Sequence, residues 1–128
     1  MVSVKMGKND TALLEEKNLF KVSGTTITLT RGDTARIIVG LSYKGSGDEY
    51  YPSGGDVVRF AAKKKYKDES PVIYKIIPSD TMILEISPQD TKNLSFGNYV
   101  YDIEITYENG DVDTFIERAT LKITEEVD

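Results

Sequence analysis

Six carboxylates crowd the last stretch of alternating residues before the C-terminus: Asp102, Glu104, Glu108, Asp111, Asp113 and Glu117. Paired carboxylates serve as acid and base in glycoside hydrolysis, and clustered ones hold calcium through their oxygens. Neither chemistry has its spacing here, because no D-x-D-x-D-G loop is present. Counting outward from Asn109-Gly110 pairs Tyr107 with Val112, Thr106 with Asp113 and Asp102 with Glu117. Like charges directly opposite are mildly unfavourable, so a cation or a neighbouring lysine there is conceivable. A solvated strand face is the better reading.

Two absences narrow the chemistry further. The 128 residues contain no histidine and no cysteine. That removes the usual general base near neutral pH, the Ser-His-Asp arrangement, thiolate nucleophiles and the common zinc ligand sets. No phosphate loop, dinucleotide fingerprint or nucleophile elbow occurs. The expectation is a non-enzyme without a cofactor. A net charge of −5 argues against a general nucleic-acid binder, and no apolar run reaches membrane-spanning length.

Three other groups have a functional and a structural reading. Arg31-Gly32-Asp33 matches an integrin-binding tripeptide, yet Gly and Asp are also ordinary turn residues between strands. Lys63-Lys64-Lys65-Tyr66-Lys67 is the one basic cluster; lysines on an exposed strand edge discourage unwanted sheet pairing, and that reading is preferred to phosphate contact. Tyr50-Tyr51-Pro52 lies in a Gly- and Ser-rich loop, 45–55, and serves either as a loop anchor or as a contact surface with a polar tip. Tyr50, Tyr51, Asn109 and Gly110 are the candidate partner-binding residues.

The elements that must position these residues are almost all strands. Ile27 and Leu29 alternate with threonines in 25–30; Ala35, Ile37, Val39 and Leu41 share one parity in 34–42; Val58, Phe60 and Ala62 do so in 57–63. Further strands are expected at 19–23, 72–77 and 82–87. Ser87-Pro88-Gln89-Asp90 signals a helical turn over 87–94, with Ser87 accepting from free N–H groups and Pro88 at the first position. Tyr99, Tyr101, Ile103, Ile105 and Tyr107 occupy one face of a long strand, and Asn109-Gly110 predicts a two-residue type I′ hairpin. In 112–124, Val112, Thr114 and Ile116 share one parity while Ala119, Leu121 and Ile123 share the other. One face cannot hold both sets, so a bulge or sheet crossing is expected near residues 117–119. About seven strands at spacings of about 8 to 12 residues predict an all-β, immunoglobulin-like antiparallel sandwich with one short helical turn. Residues 1–18 read as a mobile N-terminal arm and 19–128 as the sandwich domain.

Several of these pieces occur in an order that resembles one family. They are Ile27-Thr28-Leu29-Thr30-Arg31-Gly32-Asp33-Thr34, Gly55 to Lys64, Leu84 to Thr91, Gly97 to Ile103, Asp113 to Ile116 and Leu121 to Thr124. Over residues 25–125 the chain resembles the small immunoglobulin-like domains of phage and prophage structural proteins, such as the N-terminal domain of siphophage baseplate upper proteins. The resemblance implies a virion structural protein of tail or baseplate type. It implies assembly with other phage structural proteins, in several copies as a homo-oligomer, and location in the virion or in the bacterial cytoplasm before assembly. It brings no catalytic residues, cofactor, nucleic acid or membrane. The alternative is an adhesin-like module that binds a cell-surface glycan or protein.

Overall fold

The computed structural model describes residues 2–5, 20–23, 25–43 and 48–125. Eleven strands and one short helix succeed one another there: β1 (Val2–Lys5), β2 (Phe20–Ser23), β3 (Thr26–Thr30), β4 (Ala35–Ile38), β5 (Gly40–Tyr43), β6 (Glu49–Tyr50), β7 (Val57–Lys63), β8 (Ile73–Ile77), β9 (Ile83–Ile86), α1 (Pro88–Thr91), β10 (Gly97–Thr106) and β11 (Val112–Thr124). Six of them form one sheet in the order β2-β3-β11-β10-β7-β8. Two smaller groups, β4-β9 and β1-β5-β6, provide the rest. The described residues form an all-β sandwich with one short helix, because both sets of strands are apolar on one face and bury it against the other. Ile27, Leu29, Phe60, Tyr101, Ile103 and Leu121 from the large sheet meet Ala35, Ile37, Val39, Leu84 and Ile86 in one core cluster.

The parity predicted for 25–30, 34–42, 57–63 and the long strand from Tyr99 is the parity that is buried. Val58, Phe60 and Ala62 are inward on β7, and Tyr99, Tyr101, Ile103 and Ile105 are inward on β10, with Tyr107 half-buried beyond it. The stretch 34–42 is not one strand but two. Ala35 to Ile38 pairs with β9, and Gly40 onward pairs with β1 and β6. Val39 joins them, donating its N–H to Met82 O at 2.8 Å. Alternation cannot reveal this change of partner, because Ala35, Ile37, Val39 and Leu41 stay buried throughout.

Not every pairing is antiparallel. β3 lies parallel to β11, with Ile27 beside Leu121 and Thr30 beside Thr124. β8 and β9 belong to different sheets despite their short connection, which turns at Met82 (φ +52°). Within the expected arm, residues 2–5 form β1, paired with β5; the remainder of 1–18 lies outside the described residues, as do residues 45–47 of the expected Gly-rich loop.

The last hairpin carries two corrections. Gly110 N–H bonds to Tyr107 O at 2.8 Å, Tyr107 N–H bonds to Asp111 O at 2.7 Å, and only Gly110 has positive φ (+96°). This is a three-residue loop closed by a left-handed glycine, not the expected type I′ turn, in which Asn109 would also have positive φ. The longer loop moves the register by one residue, so Thr106 faces Val112 and Ile105 faces Asp113. The bulge expected near 117–119 is present. Tyr101 faces Ala119 while Ile103 faces Ile116, leaving Glu117 and Arg118 opposite Asp102 alone. Arg118 takes φ +56° and donates its N–H to Asp102 Oδ1 at 2.8 Å. A second slip follows at once, because Glu104 faces Thr114 and Phe115 is the extra residue. The two slips let Ile116, Ala119, Leu121 and Ile123 all reach the core, while Val112 and Thr114 stay exposed.

Candidate functional site

The two surfaces proposed for partner contact lie at the same end of the sandwich. β6 and the segment 51–56 lead into β7, whose Val57 sits beside Thr106 at the end of β10. The 107–111 loop projects from that same end. Tyr50 packs edge-on against Tyr107, with ring centroids 6.0 Å apart.

Asp56 ties the two loops together. Its side chain is 7% exposed. It accepts hydrogen bonds from Tyr50 Oη (2.5 Å) and the Ser53 N–H (3.0 Å) on one oxygen, and from the Glu108 N–H (3.0 Å) on the other. The Asp56 N–H also bonds to Ser53 O at 3.0 Å, closing a turn over Ser53-Gly54-Gly55-Asp56. Burial by itself pushes the carboxyl up, but the Tyr50, Ser53 and Glu108 donors outweigh it and hold Asp56 below the usual carboxylate range. Gly55 permits the close approach: a Cβ there would fall 2.6 Å from the Glu108 side chain. Beyond Tyr50, burial and the hydrogen bond donated to Asp113 (2.9 Å) push the Tyr107 phenol far above its ordinary value.

Each candidate residue has a defined place in this end. Tyr50 is half-buried and acts as the anchor. Tyr51 is 76% exposed, the most exposed of the large hydrophobic side chains among the described residues, with its hydroxyl on Glu49. Asn109 and Gly110 are exposed at the hairpin tip, where Asn109 Oδ1 accepts the Asp111 N–H at 2.9 Å. Asp56 was not singled out from sequence. Its signal is local, an Asp directly after Gly-Gly and before a strand, but its bond to Glu108 spans 52 residues of chain.

The other groups that could carry chemistry are dispersed. Glu104 pairs with Arg59 at 2.5 Å, Asp102 holds the bulge, Asp113 accepts from Tyr107, and Glu117 accepts from Tyr66 at 3.2 Å. Among the described residues, no three Asp or Glu side chains converge as metal ligands would. The lysine cluster does not mark an edge strand as expected, because β7 lies between β10 and β8. Lys64 to Lys67 form a turn, and Lys64 Nζ lies 4.5 Å from the Tyr99 ring centroid. Arg31-Gly32-Asp33 is a half-buried turn. Gly32 (φ +87°) donates its N–H to Thr91 Oγ1 at 2.8 Å, and Arg31 lies over the Phe96 ring at 4.1 Å. That turn locks onto α1 and the segment after it.

No protein-family model matches the chain, and a search of curated proteins finds no match.

Proposed function

We propose that this chain is a phage or prophage virion structural protein, of tail or baseplate type, that acts by protein–protein assembly. The supporting observation is the paired-loop end of the sandwich. Asp56 braces 49–56 through Tyr50 and Ser53 and joins it to the 107–111 loop through the Glu108 N–H, while Tyr51, Asn109 and Gly110 stay exposed on that base. Loops fixed before contact lose less conformational entropy on docking. The order of the strand and turn motifs over 25–125 supports the same reading through the family resemblance. On this reading the sandwich is immunoglobulin-like, and the chain resides in the virion or, before assembly, in the bacterial cytoplasm.

Mass spectrometry of purified particles induced from the source strain tests this. The chain is expected at stoichiometric abundance, in multiples set by the symmetry of the tail. Expression without incorporation into intact particles would overturn the reading.

One observation favours the second reading, a surface glycan- or protein-binding module. The Tyr51 ring is 76% exposed, a large flat surface with a polar tip. Saturable binding on a glycan array, lost in Tyr51→Ala, would support it over assembly.

A further inference from the structure

Asn109 is the one asparagine in the chain that a glycine follows. A side-chain amide in that place has a nucleophile within reach, the next backbone nitrogen, and glycine brings no Cβ to block the approach. Both residues are exposed at the tip of the last hairpin, and nothing lies within 4 Å of the place a Cβ on Gly110 would occupy. A ring that closes between them therefore has room.

Asp111 orients the amide. Its N–H donates to Asn109 Oδ1 at 2.9 Å, a bond that folds the side chain back across the peptide linking Asn109 to Gly110. Cγ is thereby held near Gly110 N, the proximity that an intramolecular attack needs. The same N–H sits on the oxygen that gathers negative charge when Cγ is attacked. On the other side of the amide, the leaving nitrogen Nδ2 donates to Asp111 Oδ2 at 3.3 Å. One contact opposes the reaction: Gly110 N–H bonds to Tyr107 O at 2.8 Å and must release it first. That bond lies in an exposed loop tip, where local opening costs least.

We infer that Asn109 is a self-modification site, converted without an enzyme to aspartate and isoaspartate. Gly110 N gives up its proton and bonds to Cγ. The Cγ–Nδ2 bond breaks, and Nδ2 departs as ammonia with that proton. Water then opens the cyclic imide. Opening at Cγ leaves aspartate in an ordinary backbone; opening at the main-chain carbonyl leaves isoaspartate, with the chain running through the side chain. Either product sets a new carboxylate beside those of Glu108 and Asp111, and isoaspartate lengthens the tip by a methylene. The reaction rests on the hairpin alone. Its consequence, a contact surface that changes charge and shape with age, rests on the assembly reading.

Peptide mapping by mass spectrometry, on the full chain held in warm, mildly alkaline buffer, tests it. The expected result is progressive loss of the amide at Asn109, with the two products resolved by chromatography, while Asn93 and Asn98 stay intact. Those two are also exposed but precede Leu94 and Tyr99. Conversion should quicken as the buffer becomes more alkaline, because the attacking nitrogen must lose its proton. Gly110→Ala should lose most of the conversion. Asn109→Gln, whose longer side chain closes the ring poorly, should lose nearly all of it and leaves the glycine in place. Far-UV circular dichroism checks that both variants are folded. An Asn109 amide that lasts as long as those of Asn93 and Asn98, or conversion unchanged in Gly110→Ala, overturns the inference. The reaction is read on the isolated chain, so its failure and failure of the virion reading are separable.

Discussion

Asp56 shows how one side chain can organise a surface. Its carboxylate satisfies three donors from two loops, and removing it strands at least two backbone N–H groups in a half-buried place. Asp56→Ala is expected to destabilise the protein by about 1–3 kcal/mol in urea titrations, the usual penalty for unsatisfied partners. The pH dependence follows from the direction of its shift. The native carboxyl binds protons less readily than the unfolded one, whose ordinary value is 3.8. The stability it contributes is therefore present above that value and is lost as pH falls below it, through the folded value. Asp56→Asn should flatten this acid limb of the urea midpoint against pH. Asp90 contributes in the same direction, because Lys75 and the Ser87 N–H and hydroxyl outweigh its burial, so some acid dependence remains. That geometry is a capping box at the expected cap: the Ser87 side chain faces the Asp90 N–H, and the Asp90 carboxylate accepts from the Ser87 N–H and hydroxyl. At the hairpin tip, Gly110 sits at φ +96°, where a side chain is strained. Gly110→Ala should cost about 1–2 kcal/mol in thermal melts.

Strands follow their apolar parity closely, and their importance follows their place in the sheet. β10 is flanked by β7 and β11, and Ile103 on it is fully buried. Ile103→Ala should cost about 2–5 kcal/mol through lost burial and the cavity left behind. Ile76→Ala, on the outer face of edge strand β8, should stay within about 0.5 kcal/mol by the same urea titration. The parity conflict in 112–124 was readable because Ile116 and Ala119 cannot both face inward on a regular strand. Its resolution was not readable. A bulge of Glu117 and Arg118 is followed by a second at Phe115, and the two together with the three-residue loop set the register. Asn109-Gly110 is compatible with either turn type, since Gly110 supplies a positive φ in both. The choice between them rests on how β10 and β11 sit in the sheet.

Long-range pairing dominates the molecule. β3 meets β11 across most of the chain, with Ile27 beside Leu121, and this separation must be closed before its contacts stabilise anything. Refolding is therefore expected in the milliseconds-to-seconds range typical of non-local β folds, measurable by stopped-flow tyrosine fluorescence. Apart from β1, β6 and the break in 34–42, the strand positions, together with the buried parity of β3, β7 and β10, the helical turn after Ser87 and the all-β class, were legible in the residues, because alternation and turn chemistry act over a few neighbours. The parallel β3–β11 pair was not, since nothing within either strand encodes its partner. The same limit hid the division of 34–42 between two sheets: Ala35, Ile37, Val39 and Leu41 face the core on both sides of the break. For the candidate site, the sequence alone marked Tyr50-Tyr51 and Asn109-Gly110 as separate exposed loops. Their union through Asp56 belongs to the folded chain, because the hydrogen bond from Glu108 forms only when β7 and β10 are already side by side.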